Sequence, residues 1–342
     1  MKKVFIAMGA IAAMASSCTK EEIRSEEIPG QEGLIKISLV NDVITRASGD
    51  GHGDQYEDNN INTLEIFVFR VHEGAADDGM FDGYKKLTGN ELGNLSNIVV
   101  KTTTGKKMVY VIANSQKEDW SDGVTRENIE SQLVDLCKEN VRNFVMFASQ
   151  EVTVNSETAL SLVLTRMVSR IRLNSVTVSF AGSPFAGVPL QNVKAYLTNV
   201  QAQKRLWDGS GSDLKIVNYK KYVPEDMTGI TMQGMLYDEL TESISETTYS
   251  TPHYYYCYEN NMNIETDDNR FTRLVIEGTL DGITYYYPIP IKNLRRNSSY
   301  TVDVKIYRPG SLDPDKDLEY GTLEMRLNVQ GWNSIAGTVV EF

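Results

Sequence analysis

Residues 271–291 read FTRLVIEGTLDGITYYYPIPI. Two runs rich in β-branched and aromatic residues, Phe271 to Thr279 and Ile283 to Ile291, flank Asp281-Gly282. That dipeptide is among the strongest short signals for a tight turn joining antiparallel strands. The same character continues on both sides. Val302, Val304 and Ile306 alternate with Asp303 and Lys305, and Leu323, Met325, Leu327 and Val329 alternate with charged or amide residues. A period of two marks half-buried strands. Upstream, Ile171 to Leu173, Val176 to Phe180 and Val193 to Leu197 read the same way.

The first half repeats the pattern. Ile35, Ile37 and Leu39 alternate with Lys36 and Ser38. Leu64 to Val71 (LEIFVFRV) is apolar on both faces, which predicts a central strand. Met108 to Ala113, Phe144 to Ala148, Val152 to Val154 and Leu160 to Leu164 extend the series. One helix interrupts it: Thr125 is placed to cap it, and Ile129, Leu133, Leu136 and Cys137 share a face at helical spacing. Many short strands with turns between them predict antiparallel β-sandwiches and not a parallel α/β enzyme. The chain has 342 residues, enough for about two domains, and the boundary falls near Arg166 to Arg170. No short-period repeat points to a propeller or solenoid.

Charge and composition narrow the function. Lys and Arg total 34 against 46 Asp and Glu, for a net charge of −12. That balance disfavours a nucleic-acid binder, which needs a basic face for phosphates. Three Cys and three His, widely scattered, leave no Cys/His zinc pattern. His52, His72 and His253 sit in loop-like settings without a nearby nucleophile, and no G-x-S-x-G, Walker or H-E-x-x-H motif occurs. The sequence therefore reads as a non-enzyme without a cofactor. Thr102 to Lys107 is a turn between strands and not a phosphate cradle.

Asp313, Asp315 and Asp317 have the alternate spacing that opens a calcium loop, but Leu318 stands where a sharp turn needs Gly. Asp50, Asp54, Glu57 and Asp58 form a second acidic cluster. For both, a solvated loop is the reading these residues favour over a calcium site. The Tyr runs 254–258 and 285–287 fit either a sugar-stacking face or strands with one face buried. Cys137 and Cys257 read as buried free thiols, and Lys292, Arg295 and Arg296 as the cap of a strand end.

The N-terminus reads as an address. Met1-Lys2-Lys3 is basic, and Val4 to Ala15 is an uncharged apolar run too short to span a bilayer stably. Beyond Ser16 no apolar run of about 18 residues occurs. Ala15-Ser16-Ser17-Cys18 resembles a bacterial lipobox, with Ala15 where Leu is commonest, and implies acylation of Cys18. Cleavage near Ala15 with Cys18 as a bystander is the alternative. Thr19-Lys20-Glu21-Glu22 resembles the export signal of Bacteroidetes surface lipoproteins, and Ile23 to Gly33 has the composition of a solvated tether.

Four segments together resemble the fimbrillins of Bacteroidales, the subunits of type V pili. They are Leu164-Thr-Arg166-Met-Val-Ser-Arg170-Ile171, Val109-Tyr-Val-Ile-Ala-Asn114, Leu294-Arg-Arg-Asn297 through Tyr300-Thr-Val-Asp303, and Val329-Gln-Gly-Trp332. The resemblance implies two transthyretin-like β-sandwich domains, one over 47–168 and the other over 169–342. It implies a signal peptide over 1–17, and a tether with a removable strand over 18–46. The implied function is a structural fimbrial subunit, exported to the cell surface as an outer-membrane lipoprotein. An arginine-specific protease would cut between Arg46 and Ala47, and subunits would join by donor-strand exchange. Implied partners are other fimbrial subunits, that protease and the outer membrane through Cys18. The tail Ile335 to Phe342 (IAGTVVEF) is the donor candidate, through Ile335, Ala336, Thr338, Val339, Val340 and Phe342. An ordinary surface role for Arg46 and an ordinary final strand for the tail are the plainer readings. A non-polymerising surface lipoprotein that binds glycan or host protein, including an anchor or tip accessory, is the rival function.

Overall fold

A computed structural model describes residues 30–39, 60–117, 119–120, 123–207, 215–227, 235–266, 269–318, 321–331 and 338–341. In the first half, β1 (Glu32–Leu39), β4 (Ile98–Thr103) and β8 (Glu157–Leu162) form a three-stranded sheet in the order β4-β1-β8. Against it lies a five-stranded sheet of β2 (Thr63–Arg70), β3 (Phe81–Thr88), β5 (Gly105–Ala113), β7 (Met146–Val154) and β9 (Thr165–Arg166), in the order β3-β2-β5-β7-β9. Ile35, Ile37, Ile98, Val100, Leu160 and Leu162 meet Ile66, Val68, Val109 and Val111 in one buried cluster between the two. At the end of β5, Asn114 turns the chain at φ 54°. Its side-chain oxygen accepts from Asn62 N–H at 2.8 Å, and its amide donates to the carbonyls of Asn60 (2.8 Å) and Phe144 (3.0 Å).

The second half holds β10 (Val168–Val178), β11 (Leu190–Thr198), the short β12 (Val200–Gln201), β13 (Gln203–Arg205) and β14 (Ile216–Val217), then β15 (Tyr237–Ile244) and β16 (Thr248–Tyr249). It continues with β17 (His253–Tyr258), β18 (Thr272–Leu280), β19 (Ile283–Ile291), β20 (Ser298–Ile306), β21 (Leu323–Gly331) and β22 (Thr338–Glu341). One sheet runs β15-β11-β18-β19. The other runs β10-β20-β21-β22, with β16 and β17 both pairing the far side of β10. Asp281 (φ 50°) and Gly282 (φ 79°) make the tight turn between β18 and β19 that their sequence predicts.

The two halves share a wiring pattern. Strands β4-β1-β8 correspond to β17-β10-β20, and β3-β2-β5-β7 to β15-β11-β18-β19. In each half the first strand is antiparallel to one neighbour and parallel to the other: β1 to β4 and β8, β10 to β17 and β20. These two parallel pairs depart from the all-antiparallel expectation. Alternation reports which face is buried but not strand direction, and a strand that closes a sandwich beside the first one returns in parallel. β21 and β22 have no counterpart beside β8 among the described residues.

The expected helix is cut short. Thr125 does cap α1 (Arg126–Glu130), accepting from Asn128 N–H at 3.1 Å. The chain then leaves the helix: β6 (Leu133–Asp135) pairs with β13, and Leu136–Lys138 form a 3₁₀ turn capped by Asp135. Cys137 thus lies in that turn, half-buried, while Cys257 is buried in β17; both are free thiols. Backbone pairing with β13 outweighs a helical pattern that only four apolar residues carried. The runs Ile171–Leu173 and Val176–Phe180 are largely one strand, β10, broken by a bulge at Asn174. Asn174 and Ser175 there donate to Asp303 at 2.7 and 2.5 Å.

Candidate strand-exchange site

The site is the place that β1 fills. Six of its residues pair antiparallel with β4 and six pair in parallel with β8, so backbone groups on both sides of the strand have partners. Ile35 and Ile37 are fully buried and Leu39 nearly so, while Lys36 reaches outward to Glu157 at 2.6 Å. Burying three such side chains is worth roughly 5 to 9 kcal/mol before ordering costs. Gly33 marks the tight end: a Cβ there would stand 2.9 Å from both the Asn155 carbonyl oxygen and Val154 Cγ1. Gln31 fastens the entry, donating to Thr104 Oγ1 at 3.2 Å and accepting from Thr104 N–H at 2.8 Å.

Without β1 the sheet would lose its centre. The walls would be Ile98 and Val100 of β4 and Leu160 and Leu162 of β8, over a floor of Ile66, Val68, Val109 and Val111. Such a groove offers unpaired backbone along both walls and an apolar floor, the chemistry that captures an extended strand. The wall strand β4 was missed in the sequence, although Ile98, Val100 and Thr102 alternate there.

The tail sits elsewhere. Among the described residues β22 pairs with β21 alone, at the edge of its own sheet, with Val340 opposite Leu327 and Thr338 opposite Val329. Four register pairs on one side hold it, against six on each side for β1. Thr338, Val339 and Val340 therefore belong to an edge strand. Ile335, Ala336 and Phe342, like Cys18, Arg46, Ala47, His52 and the acidic cluster at 50–58, lie outside the described residues.

The other candidate positions are structural. Asp315 is buried, in contrast to the solvated-loop expectation. Its carboxylate meets Arg270 at 2.7 Å and Arg273 at 3.5 Å and accepts from Asn199 at 3.0 Å. Asp317 pairs with Arg273 at 3.0 Å, and Asp313 caps the Asp315 N–H at 2.9 Å. Glu265 also binds Arg273; burial would raise its carboxyl, but hydrogen bonds from Arg273 and the Phe271 N–H hold it below the usual range. Arg270 and Arg273 therefore compensate the charges of Asp315 and Asp317. Among the described residues no group of three or more His, Cys, Asp or Glu is placed to hold a metal.

Tyr255, Tyr256 and Tyr258 are fully buried and Tyr254 nearly so, which buries both faces of β17 and removes the sugar-stacking option there. His253 begins β17, not a loop, and bridges Asp238 (2.8 Å) and Tyr249 (2.7 Å). His72 pairs with Asp77 at the surface. Lys292 lies over the Phe271 ring, and Arg296 reaches Met167 Sδ at 3.8 Å.

The basic segment around 164–171 also has a packing role. Arg166 is fully buried and donates to Asn297 Oδ1 at 3.2 Å, while Asn297 turns the chain at φ 53° and donates its N–H to the Val168 carbonyl. Arg170 donates to Ser299 at 3.1 Å and, with Arg172, lies over the Tyr254 ring. The contacts to Asn297 and Ser299 seat β20 beside β10, and those to Tyr254 join β10 to β17 on its other side.

The family described as "Major fimbrial subunit protein (FimA)" matches residues 35–180. The "Major fimbrium subunit FimC" of Porphyromonas gingivalis is 25% identical over 351 residues, covering 96% of this chain and 68% of that protein. A crystal structure of a fimbrilin (fimA) from Porphyromonas gingivalis W83 superposes with a TM-score of 0.63 at 14% identity, covering 89% of this chain and 98% of the other. The tip fimbrial protein Mfa3 from Porphyromonas gingivalis, truncated at its C-terminus, gives 0.50 at 13% identity, covering 88% and 100%.

Proposed function

We propose that this chain, a Bacteroidales fimbrillin by its family match and its curated relatives, is a structural subunit of a cell-surface fimbria. It works with other fimbrial subunits and has no catalytic role. Export follows acylation of Cys18, which anchors the precursor in the outer membrane. An arginine-specific protease then cuts after Arg46, and residues 1–46 leave with β1. That segment carries six basic and six acidic side chains, so the processed subunit keeps its net charge of −12. The C-terminal segment 335–342 of a neighbour enters the vacated place between β4 and β8.

One observation carries this reading: the described strand nearest the candidate cut is the central strand of its sheet, paired on both sides and buried on one face. A central strand at the end of a removable segment makes sense when its loss is the purpose. The exchange is also directional in energy, because a four-pair edge strand gives up less than a twelve-pair central place offers.

N-terminal sequencing and polymer assays on Arg46→Ala test it. The variant is expected to remain a full-length, Cys18-acylated monomer, while the wild type begins at Ala47 and polymerises. Polymer formed by the variant at the wild-type rate removes Arg46 from the mechanism. A wild-type surface protein that keeps its lipidated Cys18 favours instead a fixed lipoprotein, such as an anchor.

A further inference from the structure

Glu139 lies in the connection between the 3₁₀ turn Leu136–Lys138 and β7, and is 6% exposed. Its carboxyl has two partners, drawn from different halves of the chain. Oε2 accepts from the Val145 N–H at 3.0 Å, and Oε1 accepts from the Tyr258 hydroxyl at 2.9 Å. Tyr258 ends β17 and is fully buried. Around this pair the halves join by other means: β6 pairs with β13, and the Phe144 and Tyr256 rings stand 4.9 Å apart.

The nearby charges are already engaged. Asp135 is hydrogen-bonded to the Cys137 N–H and to Gln203. Lys204 pairs with Glu259, next to Tyr258, at 3.3 Å. The Gln116 amide lies beside the Tyr258 phenol, and Asp135 acts on that phenol as a second negative charge. No Lys or Arg compensates Glu139 among the described residues.

We propose that Glu139 and Tyr258 form a proton-controlled brace across the junction of the two halves. A neutral Glu139 lets the junction close without burying a charge. An ionised Glu139 leaves an anion there with two donors and no cation, and a buried anion so placed loosens its surroundings. Burial pushes the Glu139 carboxyl up to about 7, against the lowering effect of its bonds to Val145 and Tyr258. Because the folded value lies above the unfolded one of 4.5, the contribution is complete below that pH and is lost as pH rises through about 7. The inference stands apart from the fimbrial reading, since it concerns the junction alone.

The test is a pH titration of the full chain carrying ¹³C-labelled Glu carboxyls, with thermal melts at pH 5.5 and 8.5. The Glu139 resonance is expected to titrate near neutrality. The wild type is expected to melt lower at pH 8.5, and Glu139→Gln to melt alike at both. Peptides 139–145 and 254–258 are expected to exchange amide hydrogens faster at pH 8.5 than the intrinsic rate increase explains. Tyr258→Phe removes a donor to the carboxylate and is expected to move the titration higher still. It keeps the test decisive if Glu139→Gln does not fold. A Glu139 midpoint between 4 and 5, or an unmoved midpoint in Tyr258→Phe, or the wild-type slope retained in Glu139→Gln, overturns the brace.

Discussion

The Lys107 ammonium lies 3.2 Å from the Asp82 carboxylate, with each side chain 3% exposed. The pair is embedded in further bonds. Asp82 also accepts from the hydroxyls of Thr102 and Thr103 at 2.7 Å each, from the Thr103 N–H at 3.0 Å and from Arg70 at 3.0 Å. It thereby ties β3 to β4 across the edges of the two first-half sheets. Removing the acid strands a buried cation, so Asp82→Ala should cost about 3 to 5 kcal/mol in urea unfolding. Asp82→Ala with Lys107→Met should recover part of that loss. Equal stability of the two variants would show that the ammonium is not stranded.

The same residue sets an acid limit. Burial alone would raise the Asp82 carboxyl, but its hydrogen bonds from Thr102, Thr103 and Arg70 hold it far below the usual range. The stability it lends is present above the unfolded value of 3.8 and fades as pH falls below it. Glu139 works in the opposite direction at higher pH. Stability measured from pH 2 to 9 should therefore rise out of acid, fall as pH climbs from about 4.5 through about 7 and level off beyond, and Asp82→Asn should flatten the acid limb alone.

Ile37 tests the acceptor place. It is fully buried in β1, and Ile37→Ala should lower the stability of the unprocessed chain by about 2 to 5 kcal/mol. The same substitution should leave polymers built from subunits starting at Ala47 unchanged, because β1 is absent from them. Equal destabilisation of those polymers would mean that β1 stays in place.

The tail yields a contrast between neighbours in sequence. Deleting 335–342 should remove polymerisation and shift the thermal melt little, since among the described residues β22 is paired on one side alone. Asp at Val340 should weaken polymerisation far more than Asp at Glu341. A deletion that unfolds the monomer would fix the tail as a strand of its own sheet.

Calcium should have no effect on the 313–317 loop. Arg270 and Arg273 already pair with Asp315 and Asp317, so millimolar calcium and EDTA should give the same melting temperature. Arg273→Ala should lower it, since Glu265, Asp315 and Asp317 lose their shared partner. A calcium-dependent rise in the wild-type melt would reverse this assignment.

What the sequence made legible was burial. Alternation located β1, β20 and β21, and Asp281-Gly282 located the turn between β18 and β19. LEIFVFRV reads apolar on both faces for a reason now visible: Ile66 and Val68 face the first core, while Phe67 and Phe69 join the second. Direction and partner were not legible. Nothing in Ile35, Ile37 or Leu39 says that β8 runs parallel beside them, because that depends on residues 120 or more positions away. The short helix failed for a related reason, since β13, which pairs with β6, is remote in sequence. The acidic run 313–317 looked solvated because its arginine partners lie over forty residues upstream.

The place of β1, flanked by strands along both edges, has a mechanical consequence. A strand in that place, pulled along its own axis, is loaded in shear: the hydrogen bonds on both flanks, spanning six register pairs each, share the force from the start. A peeling load would instead break them one at a time. A filament joined through this seat would carry tension along its length with every bond of each joint engaged at once. Its weakest direction would be a sideways tug that lifts one end of the strand. Flow drags a tethered filament lengthwise, which is the direction in which such a joint is strongest.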